Sequence, residues 1–181
     1  KKLTSAQITE VSKWRSREEE LSLSIARAEA VQLAKHVLAL AEQLTANENQ
    51  LDELVKVSEA APLLEETGFA AISAAKCLTA WSHEGRVRNE AAFASLAGVN
   101  PIPASSGNTV RHRLNRGGDR ALNSALHMIA ITRMTHDPKT LEYAERRRAE
   151  GRTTKEIRRC IKRYLARHIY RTLNASTTSA P

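Results

Sequence analysis

The chain has 181 residues, 28 Lys and Arg against 20 Asp and Glu, a net charge of +8 and 41% apolar residues. That is enough for one or two domains around a sizeable core. There is no secretory signal and no apolar run near the roughly 20 residues that span a bilayer, so no transmembrane helix is expected, and Cys77 and Cys160 have neither disulfide-framework nor metal-ligand spacing and read as small buried hydrophobes in a reducing compartment.

Beginning at Lys1 without a methionine, the chain reads as a piece of something longer. Residues 3–15 predict a short helix with Thr4 or Ser5 as N-cap and Ile8, Val11 and Trp14 on one face. After a break at Arg15-Ser16-Arg17, residues 18–58 contain neither Gly nor Pro and are rich in Ala, Leu and Glu. Leu21, Ile25, Ala28, Val31, Leu38, Ala41, Leu51 and Val55 recur at three-or-four spacing. A helix of about 40 residues spans about 60 Å, so it reads as a coiled-coil arm joining copies of the chain, or as a locally packed spacer. Pro62 marks a boundary, and a helix, a tight turn at Gly68 and a second helix to residue 82 make a corner resembling a helix-hairpin-helix, or a plain helical corner. Asn89 caps a short helix over 90–97. Asp119 caps a core helix over 120–135, with Leu122, Ala125, Leu126, Ile129 and Ala130 as its apolar stripe. His127 lies one position beyond that stripe and reads as a packed structural histidine. Asp137-Pro138 starts the next helix, which ends at Gly151. Thr153 and Glu156 then form a capping box for the last one. Residues 175–181 read as a disordered tail.

The fold class is therefore all-α: a helical arm over residues 1–60, a compact multi-helix domain over 61–174, and one long irregular loop. That loop runs from Gly98 to Asp119 and holds Pro101, Pro103 and four glycines. A roughly 20-residue irregular segment in a compact domain is usually functional or disordered. At its centre Ser105-Ser106-Gly107 stands beside Arg111, Arg113, Arg116 and Arg120, with His112 between. Ser-Ser-Gly is also a common loop tripeptide. Gly107 permits close backbone approach to a ligand, and guanidinium groups suit phosphate in a fork geometry. Residues 146–181 carry eleven Lys and Arg against two acids, a net +9. There Arg158, Arg159, Lys162, Arg163 and Arg167 lie along the last helix beside its apolar face. This concentration points to nucleic acid rather than membrane.

Three motifs together, Phe93-Ala94-Ser95-Leu96-Ala97-Gly98-Val99-Asn100-Pro101, Ser105-Ser106-Gly107 and Asn115-Arg116-Gly117-Gly118-Asp119-Arg120-Ala121-Leu122, resemble the C-terminal domain of insertion-sequence 110/116/902 family transposases. The order of elements and the stretch from Glu150 to Tyr164 are similar too. The resemblance implies a prokaryotic, cytoplasmic, nucleoid-associated DNA recombinase that moves an insertion sequence, in some members guided by a bridging RNA. It implies Ser106, directly before glycine, as a nucleophile that attacks a DNA phosphodiester and is held transiently as phosphoserine. It also implies an N-terminal RNase-H-like domain, missing here, whose acidic residues bind Mg²⁺, and a dimer or tetramer assembled through the long helix. No metal site is expected in this chain, and the fragment alone is expected not to cleave DNA. The remaining residues named in the loop and on the last helix, Ser105 and Gly107 included, are expected to bind nucleic acid. The alternatives are a non-catalytic, all-helical nucleic-acid-binding and oligomerisation module, or a helical scaffold whose basic face meets acidic protein.

Overall fold

The computed structural model describes residues 2–105, 112, 113, 115 and 117–178. The chain divides into two compact units, Lys1–Gln50 and Leu51–Pro181. The division falls inside the long helix, ahead of residue 60, because Val55 and Ala60 belong to the core of the second unit and Leu51 packs against it.

The first unit begins with α1, Ser5–Ser12, held by a Thr4–Gln7 capping box. The connection after it is fixed by the Arg27 fork. Its Nε donates to Glu19 Oε1 at 2.6 Å and its Nη2 to Oε2 at 2.8 Å, while the guanidinium lies 5.4 Å from the Trp14 ring centroid. Helix α2, Leu21–Lys56, is 36 residues long, within the predicted span. Its exposed apolar residues only partly follow the predicted seam: Leu21 and Ile25 are exposed, but so is a second row, Leu33, Val37, Leu40 and Leu44, 47–62% exposed at alternating steps of four and three, whereas Val31 and Leu38 are partly buried. The same register continues to Asn47, Leu51 and Leu54.

Among its described residues, the regular structure of the second unit is helical apart from one two-residue ladder. It comprises α3 (Ala61–Leu64), α4 (Ala71–Trp81), α5 (Glu90–Leu96), β1 (Ile102–Pro103), β2 (His112–Arg113), α6 (Arg120–His136), α7 (Pro138–Ala149) and α8 (Thr154–Thr178). Helix α6 is central and packs on α4, α7 and α8. Its predicted stripe, Leu122, Ala125, Leu126, Ile129 and Ala130, is buried throughout. It meets Ile157, Ile161, Leu165, Ile169 and Leu173, one face of α8, together with Trp81 and Phe93. At the α3–α4 corner Gly68 has φ +92°, and a Cβ there would stand 3.1 Å from the Ile129 carbonyl oxygen of α6. Arg133 Nε donates to Thr67 O at 2.8 Å across the same corner.

Asn89, Asp119 and Asp137 cap α5, α6 and α7, and the Thr153–Glu156 box caps α8, as the sequence predicts. Of the predicted disordered tail, residues 175–178 are instead helical, since α8 continues through Thr178, and residues 179–181 lie outside the described residues. Thr172, Ser176 and Thr177 hydroxyls donate to the carbonyls four residues back, and Trp81 Nε1 donates to Asn174 Oδ1 at 3.3 Å, so small polar residues are carried along as helix.

Two carboxylates tie α8 to the rest of the unit. Glu90 of α5 holds Arg167 at 2.5 Å and Arg171 at 2.7 Å, and Glu66 holds His168 at 2.6 Å and Arg133 at 2.5 Å. Hydrogen bonds from Arg167 and then Arg171 hold the Glu90 carboxyl below its ordinary range. The unfolded chain therefore binds this proton at higher pH than the folded one. Stability from Glu90 is full above the ordinary carboxylate range and is lost as pH falls through the lowered folded value. Urea titrations from neutral to acid pH should show a decline that is shallower in Glu90→Gln, which starts less stable at neutral pH.

Candidate nucleic-acid interface

The two ends of the irregular segment meet at a backbone crossing. Asp119 N donates to Leu96 O at 2.7 Å. Gly98 (φ +66°) and Gly118 (φ +100°) face each other there: a Cβ on Gly98 would lie 2.6 Å from Gly117 O, and one on Gly118 would strike Leu96 O and lie 2.9 Å from Gly98 N. Only glycine fits both the left-handed backbone and the space. Asn115 Nδ2 donates to Asn100 Oδ1 at 2.8 Å, binding the outgoing strand to the returning one. Between them β1 and β2 pair antiparallel, Ile102 opposite Arg113 and Pro103 opposite His112.

A groove of about 860 Å³ opens beside this crossing. One wall is Gly98–Pro101 with Arg113, Asn115 and Gly117; the floor is the first two turns of α6 with Arg158 and Lys162 of α8; the outer wall is Lys155, Arg159 and Arg163 of α8. Seven cationic side chains line it: Arg113, Arg120, Lys155, Arg158, Arg159, Lys162 and Arg163. Asp119 is the one carboxylate among its described lining residues, and its Oδ1 accepts from Leu122 N at 2.8 Å as the α6 cap. Along α8 the cations form two rows at four-residue spacing, 155–159–163 and 158–162, a like-charge arrangement that disfavours the helix.

The floor is the most buried part. Lys162 is 9% exposed. Its Nζ donates to Asn123 Oδ1 at 2.7 Å, and Asn123 Nδ2 donates to Ala97 O at 2.6 Å, so a neutral amide joins α8 through α6 to the end of α5. Burial, and then the charge of Arg158, lower the Lys162 pKa. Arg158 Nε is buried and has no hydrogen-bond partner among the described residues. His127, also in the groove, is held below its ordinary value by burial and then by Lys162 and Arg158.

The structure thus brings Arg113, Arg120, Arg158, Arg159, Lys162 and Arg163 to one groove. Arg167 stands apart, paired with Glu90. Ser105 is exposed. Ser106, Gly107, Arg111 and Arg116 lie outside the described residues, as does the His112 side chain. Sequence reasoning missed Lys155, one turn before Arg158 and Arg159, and set His127 aside; the four-residue spacing of 155, 159 and 163 was the available signal for the first. The described lining of this groove does not fit a divalent metal, because the single carboxylate among those residues is committed as a helix cap beside seven cations. Among the described residues no group of three or more His, Cys, Asp or Glu could hold one. Nor is any helix among them long and apolar enough to cross a membrane.

Comparison with known proteins agrees with the geometry. Residues 60–145, from the α3 corner through α6 and into α7, match the family model described as Transposase IS116/IS110/IS902 family; the α8 side of the groove lies beyond the matched residues. The "Insertion element IS110 uncharacterized 43.6 kDa protein" of Streptomyces coelicolor is 32% identical over 123 residues, 67% of this chain and 30% of the relative. The chain therefore spans about 30% of the length of the curated relative it matches.

The crossing gives a direct test. Gly118→Ala should lower stability by about 2–4 kcal/mol in urea denaturation, combining left-handed strain with backbone overlap. Gly85→Ala, also at positive φ (+84°) but with nothing within 4 Å of the added Cβ, should cost only about 1–2 kcal/mol.

Proposed function

Since residues 60–145 belong to the transposase IS116/IS110/IS902 family, we propose that this chain is the serine-bearing, DNA-holding part of a recombinase that moves an insertion sequence. The observation that carries the reading is the groove, where seven cations beside the base of the Ser106 loop suit a phosphodiester backbone. In this reading Ser106 Oγ attacks a DNA phosphorus. The serine O–P bond forms as the bond from phosphorus to a deoxyribose oxygen breaks. The hydroxyl proton passes to a base, and the departing oxygen takes up a proton. Attack by a second strand's hydroxyl then releases the serine. Arginines around the scissile phosphate offset the charge that develops on its oxygens.

A serine hydroxyl is a weak nucleophile without a base or metal nearby. Mg²⁺, and the acidic residues that would hold it, belong in this reading to a part of the recombinase outside this chain; bound there, the ion would supply Lewis acidity. A guide RNA is the second nucleic acid proposed. Copies of the chain join through α2, a role supported by the exposed Leu33, Val37, Leu40 and Leu44 row.

Two measurements test these assignments. In the full-length protein, with guide RNA, Mg²⁺ and labelled junction duplex, a covalent protein–DNA adduct should form on a denaturing gel. It should vanish in Ser106→Ala and persist in Ser105→Ala. Strand exchange retained by Ser106→Ala would leave a non-catalytic nucleic-acid-binding module. For the arm, Leu40→Asp should shift the 181-residue chain to a smaller species in sedimentation while leaving the thermal transition of the second unit in place; an unchanged mass would remove α2 as the joint.

A further inference from the structure

We propose that the floor of the groove, formed by Arg158, Lys162 and His127, is a discrete seat for a single phosphate group of a nucleic-acid strand. This deepens the DNA-holding reading above, and rests on it for the source of the phosphate. The cations on the outer wall, Lys155, Arg159 and Arg163, can track a backbone loosely from solvent, as exposed basic residues do. The floor differs in kind. A guanidinium Nε is buried with no partner among the described residues, and an ammonium nine-tenths buried donates to a neutral amide 2.7 Å away. Buried cations are ordinarily paired, and unpaired buried donors are ordinarily satisfied.

Other arginines of the same helix show that the fold can supply acids where it needs them: Arg167 and Arg171 share Glu90. On the floor the side chains that bear on one another are all basic. Arg158 and Lys162 stand one turn apart on α8, and His127 faces both from α6. The remaining charges near the mouth are Arg113 from the loop and Asp119 with Arg120 at the start of α6, and Asp119 already accepts from Leu122 N.

A phosphate oxygen reaching the floor would accept from Arg158 Nε and Lys162 Nζ together. It would relieve their mutual repulsion and favour a protonated His127 as a further donor. The exchange is thermodynamically linked, so the anion binds the folded chain, stabilises it and raises the His127 pKa. The amide of Asn123 holds the ammonium in place before the anion arrives, and the same amide fixes the end of α5. Occupancy of the seat is thereby coupled to the base of the serine loop.

The test uses the 181-residue chain and inorganic phosphate as the probe. Melting curves are compared in phosphate and in chloride of equal ionic strength. Saturating phosphate should raise Tm by about 5 °C beyond chloride. In Lys162→Met and Arg158→Met that increment should disappear, with the phosphate-free Lys162→Met protein melting no lower than wild type. Histidine-edited NMR, with the resonance assigned by its loss in His127→Gln, should show the His127 pKa rising by about one pH unit in phosphate. This arm decides on wild-type protein if a floor variant fails to fold. A short labelled oligothymidylate should be displaced by phosphate and should bind about tenfold more weakly to Lys162→Met, while Arg171→Ala binds it as wild type does.

A Tm rise equal in chloride and phosphate, or an unmoved His127, overturns the seat. Phosphate binding without oligothymidylate competition leaves a free-phosphate site and overturns the nucleic-acid assignment. Loss of the Ser106 adduct chemistry alone would leave the seat standing, so the two readings fail separately.

Discussion

The second unit depends on the place where two backbone turns touch. Gly98 ends the turn after α5, Gly118 begins the turn into α6, and a carbonyl of the first receives the Asp119 amide of the second at 2.7 Å. Because the segment leaves and returns at one point, its base is set by helices that are themselves core elements. Bringing chain ends together carries an entropic cost. Here the cost is offset by the α5–α8 and α6–α8 contacts that form regardless of what the loop contains. The Asn115–Asn100 hydrogen bond and the β1–β2 ladder extend that order a few residues outward. A reactive group carried on such a loop starts from a fixed anchor, which is what positioning at a phosphodiester requires.

Charge on α8 is divided by partners from distant sequence. Glu66 and Glu90 take His168, Arg167 and Arg171, and these fasten the C-terminal half of the helix to the α3–α4 corner and to α5. Nothing comparable faces Lys155, Arg158, Arg159, Lys162 and Arg163 among the described residues of the groove. One helix is therefore structural at one end and open to an anion at the other, although its basic residues recur with little change along its length.

This division marks the limit of what the chain discloses by itself. Helix ends were legible because their determinants are local: Thr4 with Gln7, Asn89, Asp119, Asp137 with Pro138, and Thr153 with Glu156 each act within one turn. The apolar stripe of α6 was legible for the same reason. Arg167 and Arg163 are indistinguishable at that range, and only the fold brings Glu90, 77 residues away, to one of them. The meeting of Gly98 with Gly118 is likewise a contact across a loop, where the sequence offers only two glycines. On α2 the three-or-four spacing admitted more than one stripe, and beside the exposed Leu21 and Ile25 of the predicted one stands an exposed row from Leu33 to Leu44 that was not predicted. From Ala175 the composition suggested disorder, yet hydroxyl-to-carbonyl bonds, with the Trp81–Asn174 contact just before them, keep the helix through Thr178.

Where local rules fail without compensation, function is the usual reason. Like charges at four-residue spacing, an unpartnered buried guanidinium nitrogen and a buried ammonium held by an amide all oppose folding, and all three fall in one groove. Elsewhere in the unit, Glu66 and Glu90 provide counter-charges, whereas the one carboxylate among the described groove residues, Asp119, is committed as a helix cap. The large apolar interface of α6 with α8 supports the groove from behind, since Leu122, Leu126, Ile157 and Leu165 are buried along the same turns that present the cations. Opposite faces of one helix pair thus carry the stabilising and the destabilising residues. The core can hold the cations in place before any phosphate arrives, so binding need not first order the side chains that recognise it.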